Sequence, residues 1–129
     1  MDAEGLRALF EPFGPVTVRR MFGGAGVYAE GLCFAIEADG DVYIKADTLS
    51  QPSFSGAGSA PFTYVMNGKP KSMSFWRLPE IAHDEADELR RWAGLGLEAA
   101  RRAAEAKANR KGKSTLPAKS RAKSKSPAA

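Results

Sequence analysis

Two dipeptides constrain this chain more than anything else in it. Asp39-Gly40 and Asn67-Gly68 each separate two short apolar runs: Leu32–Ala38 (LCFAIEA) from Val42–Lys45 (VYIK), and Phe62–Met66 (FTYVM) from Lys71–Trp76 (KSMSFW). A type I′ turn requires positive φ at both central residues, and Asp-Gly and Asn-Gly adopt it at little steric cost. Two antiparallel hairpins are therefore expected. Leu32–Ala38 is nearly all apolar and reads as a central strand, whereas Met73 and Phe75 alternate with Ser72 and Ser74 as on a sheet with one wet face. Upstream, Val16, Val18, Arg20 and Phe22 alternate like a strand, Gly23, Gly24 and Gly26 interrupt them, Val27-Tyr28 resumes, and Glu30-Gly31 is a turn.

Helical periodicity appears at both ends of this β region. Leu6, Leu9 and Phe10 share a face of a short helix that Pro12 and Gly14 terminate. From Asp84, read as an N-cap, Ala86, Leu89, Ala93, Leu97 and Ala100 form an apolar stripe, with Trp92 and Ala103 beside it. Gly94 and Gly96 each cost about 1 kcal/mol against Ala inside a helix, and close backbone contact with the sheet is a reason to keep them. Residues 46–60 read as a loop with one helical turn near Asp47–Gln51. The order of elements predicts an α+β fold: a single antiparallel β-sheet with an N-terminal helix and a long C-terminal helix packed on it.

Charge divides the chain in two. Residues 1–106 hold eleven Lys/Arg against all fifteen Asp/Glu, a formal −4, whereas residues 107–129 hold eight basic residues and no acid. The expected domains are thus 1–106, a folded acidic body, and 107–129, a disordered Lys/Ser/Ala/Pro-rich tail. The tail cations are Lys107, Arg110, Lys111, Lys113, Lys119, Arg121, Lys123 and Lys125. They offer nonspecific affinity for DNA or RNA phosphates without base reading. The other reading is a solubilising extension without a partner.

Several classes of function fit poorly. No run approaches the roughly 20 apolar residues of a membrane span. The start, with an acid at Asp2, lacks the basic and apolar regions of a secretory signal. A cytoplasmic location is the expectation. Gly23-Gly24-Ala25-Gly26 fits neither a dinucleotide fingerprint nor a P-loop, and reads as a bend or bulge between strands. Cys33, the one cysteine, reads as a buried structural thiol, and His83, the one histidine, as an exposed residue. Nothing in the spacing pairs them as nucleophile and base. No metal or other cofactor is expected, and the dispersed carboxylates disfavour an enzyme. The aromatic residues lie on predicted strands. Phe62/Tyr64 and Met73/Phe75, as i, i+2 pairs, are explained by core packing, with base stacking on an exposed sheet as the alternative.

The stretch Arg20-Met21-Phe22-Gly23-Gly24-Ala25-Gly26-Val27-Tyr28 resembles the opening hallmark of the TfoX N-terminal domain family, named for a regulator of natural competence. Further segments are similar in order: Gly31–Ala35, Val42–Lys45, Pro61–Tyr64, Met73–Pro79, and the terminal helix with Leu89, Trp92 and Ala93. The resemblance covers nearly all of residues 5–105. It implies the same α+β domain, a link to transcriptional regulation of competence genes, and no catalytic motif. The motif residues it marks, namely Arg20, Met21, Phe22, Gly23, Gly24, Gly26, Tyr28, Lys45, Pro61, Phe62, Tyr64, Met73, Pro79 and Trp92, look structural. Competence regulators of this kind carry a second, C-terminal domain, where this chain is expected to be a stand-alone domain with a tail.

The leading expectation is a non-enzymatic regulatory or interaction module whose acidic body meets a protein partner. One alternative is a small-ligand binder or enzyme with a pocket near Gly23–Gly26, flanked by Arg19, Arg20 and Lys45. Another is a homo-oligomerisation domain using a sheet face or the Trp92 helix.

Overall fold

The computed structural model describes residues 1–21 and 23–115, with the backbone alone at Lys71 and at residues 110–115. Phe22 and residues 116–129 lie outside it, and with them the tail positions Lys119, Arg121, Lys123 and Lys125.

A six-stranded antiparallel sheet forms one layer, in the order β1-β2-β3-β4-β6-β5. Its strands are β1 (Thr17–Met21), β2 (Gly24–Ala29), β3 (Leu32–Ala38), β4 (Asp41–Lys45), β5 (Pro61–Met66) and β6 (Lys69–Arg77). The expected hairpins close as the turn chemistry requires. Asp39 and Gly40 have φ of 53° and 85°, and Asn67 and Gly68 have 54° and 77°. Between β1 and β2, Met21 pairs with Gly24, so the first glycine cluster closes a tight hairpin rather than an open bend.

The register sorts the side chains. One row crosses the whole sheet through the partners Val18, Val27, Ala35, Ile44, Trp76 and Pro61. This face carries the helices. A β-bulge adds to it: Val27 pairs with Ala35 but Tyr28 with Cys33, leaving Phe34 as the extra residue. Phe34 and Ala35 are consecutive and both fully buried, which explains the nearly continuous apolar run of β3.

The helix layer comprises α1 (Ala3–Leu9), α2 (Gln51–Gly56), α3 (Ile81–Asp84) and α4 (Ala86–Thr115). Asp2 caps α1 by accepting from the Gly5 amide at 2.8 Å. Phe10, just past α1, meets Phe34 edge-on with ring centroids 5.2 Å apart. On α4, Leu89, Trp92, Ala93, Leu97 and Ala100 are buried over β3 and β4. Gly96 makes that approach possible, because a Cβ there would lie 2.9 Å from the Phe34 carbonyl oxygen and 2.5 Å from Ile44 Cγ2.

Four details differ from the sequence reading. Asp84 does not cap α4: it ends α3, and Glu85, in extended conformation, separates the two helices. The helical turn after β4 lies at Gln51–Gly56, later than expected, because Asp47 first closes a turn on the Ser50 and Leu49 amides. Helix α4 runs as helical backbone to Thr115, across the 106/107 boundary drawn on charge. The pairs Phe62/Tyr64 and Met73/Phe75 fall on the face opposite the helices, where Phe75 is buried, Phe62 and Tyr64 are half-buried and Met73 is exposed.

Candidate functional site

The face of the sheet opposite the helices is built from the alternate residues of the same strands. Its register row runs Arg19, Gly26, Ile36, Tyr43, Arg77. Each described helix packs on the other side, so these side chains form a layer of their own.

Two aromatic groups occupy this face. On β1–β2, the Tyr28 ring and the Met21 methyl lie over Gly26, where a Cβ would come within 3.0 Å of Tyr28 Cε1. The Arg19 guanidinium sits 5.8 Å from the centre of the Tyr28 ring. On β4–β6, Tyr43 meets Phe62 at 4.8 Å and Phe62 stacks with Tyr64 at 6.5 Å, with ring planes 20° apart. Lys45 Nζ lies 5.1 Å from the centre of the Phe75 ring and donates to Ser74 Oγ at 3.0 Å. Tyr28, Tyr43, Phe62 and Tyr64 remain half-buried, and Met73 and Arg77 are exposed. The i, i+2 spacing had put each pair on one side of its strand. Which side the helices cover was not visible in that spacing.

Cys33 belongs to the same face, half-buried rather than fully enclosed, and burial pushes its thiol pKa up. That weakens it as a nucleophile. His83 is exposed on α3, across the sheet from Cys33, so the two are not brought together.

The three cations expected around a Gly23–Gly26 pocket are also separated. Arg19 and Arg20 are adjacent on β1 and point to opposite faces, and Lys45 lies at the end of β4. A cavity of about 290 Å³ does reach Arg19, but it is lined by Pro15, Thr17, Tyr28, Ala29, Glu30 and Gly31, at the other end of the β1–β2 hairpin.

The remaining motif residues are spread through the fold. A Cβ at Gly24 would collide with the Glu37 carbonyl oxygen, so this position requires glycine for strand approach. Gly23 completes the β1–β2 hairpin with φ 73°. Arg20 Nη1 donates to the Met1 carbonyl at 3.4 Å. Pro61 opens edge strand β5, where its missing N–H costs nothing. The Pro79 carbonyl accepts from the Ala82 amide at 3.0 Å and starts α3. Trp92 is 2% exposed, 4.7 Å from the Phe54 ring, and its Nε1 donates to Glu88 Oε1. So buried an indole offers little surface for self-association through this helix.

The cationic end of α4 is the second feature. The buried stripe ends at Ala100, and residues 103–109 are exposed. Helical backbone continues through positions 107, 110, 111 and 113. Two ion pairs hold the base of this extension. Arg101 grips Glu30 in the β2–β3 turn at 2.5 and 2.9 Å, and this hydrogen bonding lowers the Glu30 pKa. Arg102 grips Asp47 at 2.6 and 3.0 Å, which lowers the Asp47 carboxyl to about 2.

Sheet order, the single helix layer and the aromatic open face define a two-layer antiparallel α+β domain. Residues 8–100 match the TfoX N-terminal domain, and the chain belongs to that family. No curated protein matches the chain. Among the described residues no helix is long and apolar enough to cross a membrane, and no group of three or more His, Cys, Asp and Glu side chains is placed to hold a metal ion.

Proposed function

We propose that this protein is a non-enzymatic regulatory module of the TfoX N-terminal domain family, linked to the control of competence genes. In this reading the body engages a protein partner, and the basic C-terminal segment adds nonspecific affinity for nucleic acid. The observation that carries the second half is the division of charge: −4 over residues 1–106 and +8 over residues 107–129. Helix α4 supports it, because its backbone carries positions 107–113 beyond the last buried residue, Ala100. Cations held away from the acidic body meet phosphates without repulsion between body and nucleic acid. Contacts made through Lys and Arg to phosphate position a protein on a duplex but read no sequence.

The test is an electrophoretic shift with an arbitrary duplex at low salt. The full chain shifts it, and a full chain with the eight tail cations changed to Gln does not. An unshifted duplex with the unaltered chain contradicts the nucleic-acid half. The regulatory half is tested by expression of competence genes after deletion of this gene: altered transcript levels support it, and unchanged levels under competence-inducing conditions oppose it.

A further inference from the structure

We propose that the open face of the sheet is a platform for single-stranded nucleic acid, with bases stacking on Tyr43, Phe62 and Tyr64 and phosphates meeting Arg19 and Lys45. This goes beyond the tail, which reads no bases and does not distinguish single strands from duplex except by charge density.

The three rings form a continuous row, 4.8 and 6.5 Å between successive centroids, across β4 and β5. They are half-buried, so each is held in place by its neighbours yet keeps surface toward solvent. Aromatic side chains fixed on a strand accept any base, because every base has a π-face. No described helix covers this side of the sheet.

The body as a whole is acidic, but many of its acids lie elsewhere: Glu4 and Glu11 lie in or beside α1, and Asp87, Glu88 and Glu98 on α4, while Glu30, which borders the cavity that reaches Arg19, is paired with Arg101. Among the described strand residues, Asp41 is the one acid that the register places on the open face, and Arg77 neutralises it at 2.9 Å. Among the described residues, neither Arg19 nor Lys45 forms an ion pair with a carboxylate, and each lies against an aromatic ring. A cationic, aromatic surface on an otherwise anionic body suits a polyanion whose bases are free to stack. A duplex hides those base faces. A second copy of this chain would bring the same unbalanced cations onto this face.

The test uses the full chain, a labelled oligothymidylate and a labelled duplex of equal length, with binding read by fluorescence anisotropy and folding by circular dichroism. Tyr64→Ala is expected to weaken single-strand binding about tenfold and leave duplex binding unchanged, while Tyr64→Phe, which keeps the ring, binds like the unaltered chain. Arg19→Ala, at an exposed edge-strand position, weakens single-strand binding and lowers its log–log salt slope by about one, and it carries the test if Tyr64→Ala does not fold. The outcomes separate this surface from the tail: neutralising the tail weakens both ligands, whereas the sheet variants weaken one. Single-strand binding that is unchanged in folded Tyr64→Ala and Arg19→Ala overturns the proposal. So does a loss that is equal for both ligands. A Tyr64→Ala chain that changes oligomeric mass by light scattering while binding unchanged overturns it in favour of self-association.

Discussion

Arg102 on α4 clasps Asp47, 55 positions earlier, through two hydrogen bonds from one guanidinium to one carboxylate, Nε to Oδ2 at 2.6 Å and Nη2 to Oδ1 at 3.0 Å. Asp47 also accepts from the Leu49 and Ser50 amides, both at 3.1 Å, so one carboxylate joins the long helix to the turn that leads from β4 into α2. Bidentate pairs of this kind combine charge with orientation. Replacing Arg102 by Ala is expected to cost about 1 kcal/mol at neutral pH, the modest size reflecting a pair still in partial contact with water. The pH dependence has a definite sign. The folded-state pKa of Asp47 is lowered from the ordinary 3.8 to about 2. Its contribution is therefore complete above the unfolded value and is lost as pH falls through the folded one. Urea unfolding at pH 7, 3 and 2 checks this, because the cost of Arg102→Ala should shrink at the acid end.

Gly94 and Gly96 lie two residues apart on α4 and should respond oppositely to alanine. A Cβ at Gly94 meets nothing within 4 Å. Gly94→Ala is therefore expected to stabilise the protein, by up to about 1 kcal/mol of helix propensity. At Gly96 the new Cβ would press on the Phe34 carbonyl at 2.9 Å and Ile44 Cγ2 at 2.5 Å, and backbone cannot move aside as a side-chain tip does. Gly96→Ala should lose more to overpacking, about 1–3 kcal/mol, than it gains in propensity. Thermal unfolding of the two variants decides it; equal shifts would contradict the packing of α4 on β3.

The Cys33 thiol is half-buried beside Tyr28, with its pKa raised chiefly by burial. Reaction follows the thiolate, so a chromogenic disulfide at pH 8 should modify it more slowly than free cysteine. Denaturant should restore the ordinary rate. Fast modification of the folded protein would mean an exposed, activated thiol.

The hairpins, the family segments and the two terminal helices were legible in the sequence because each rests on local chemistry. Asp39-Gly40 and Asn67-Gly68 adopt positive φ whatever surrounds them. Gly96 was legible as a packing glycine, and Gly94 was not distinguished from it, because only the crossing point of α4 on the sheet tells them apart. The bulge at Phe34 was hidden because it exists only in the register between β2 and β3. The break at Glu85 was hidden inside an acidic run that reads as one helix start. The open aromatic face was half legible. The i, i+2 spacing grouped Phe62 with Tyr64, but core and open face follow from where the helices pack, which is a tertiary choice. The ion pairs of Arg101 and Arg102 span 71 and 55 positions and leave no local pattern.

The central claim is that duplex affinity resides in the eight cations of residues 107–129 and not in the acidic body. The most direct measurement is the salt dependence of duplex binding by the full chain and by the chain with those eight residues changed to Gln. Each neutralised phosphate releases condensed counterions, so the full chain should show a log–log slope no steeper than about −7, and the altered chain little binding. An altered chain that binds the duplex as tightly, with the same slope, would contradict the claim.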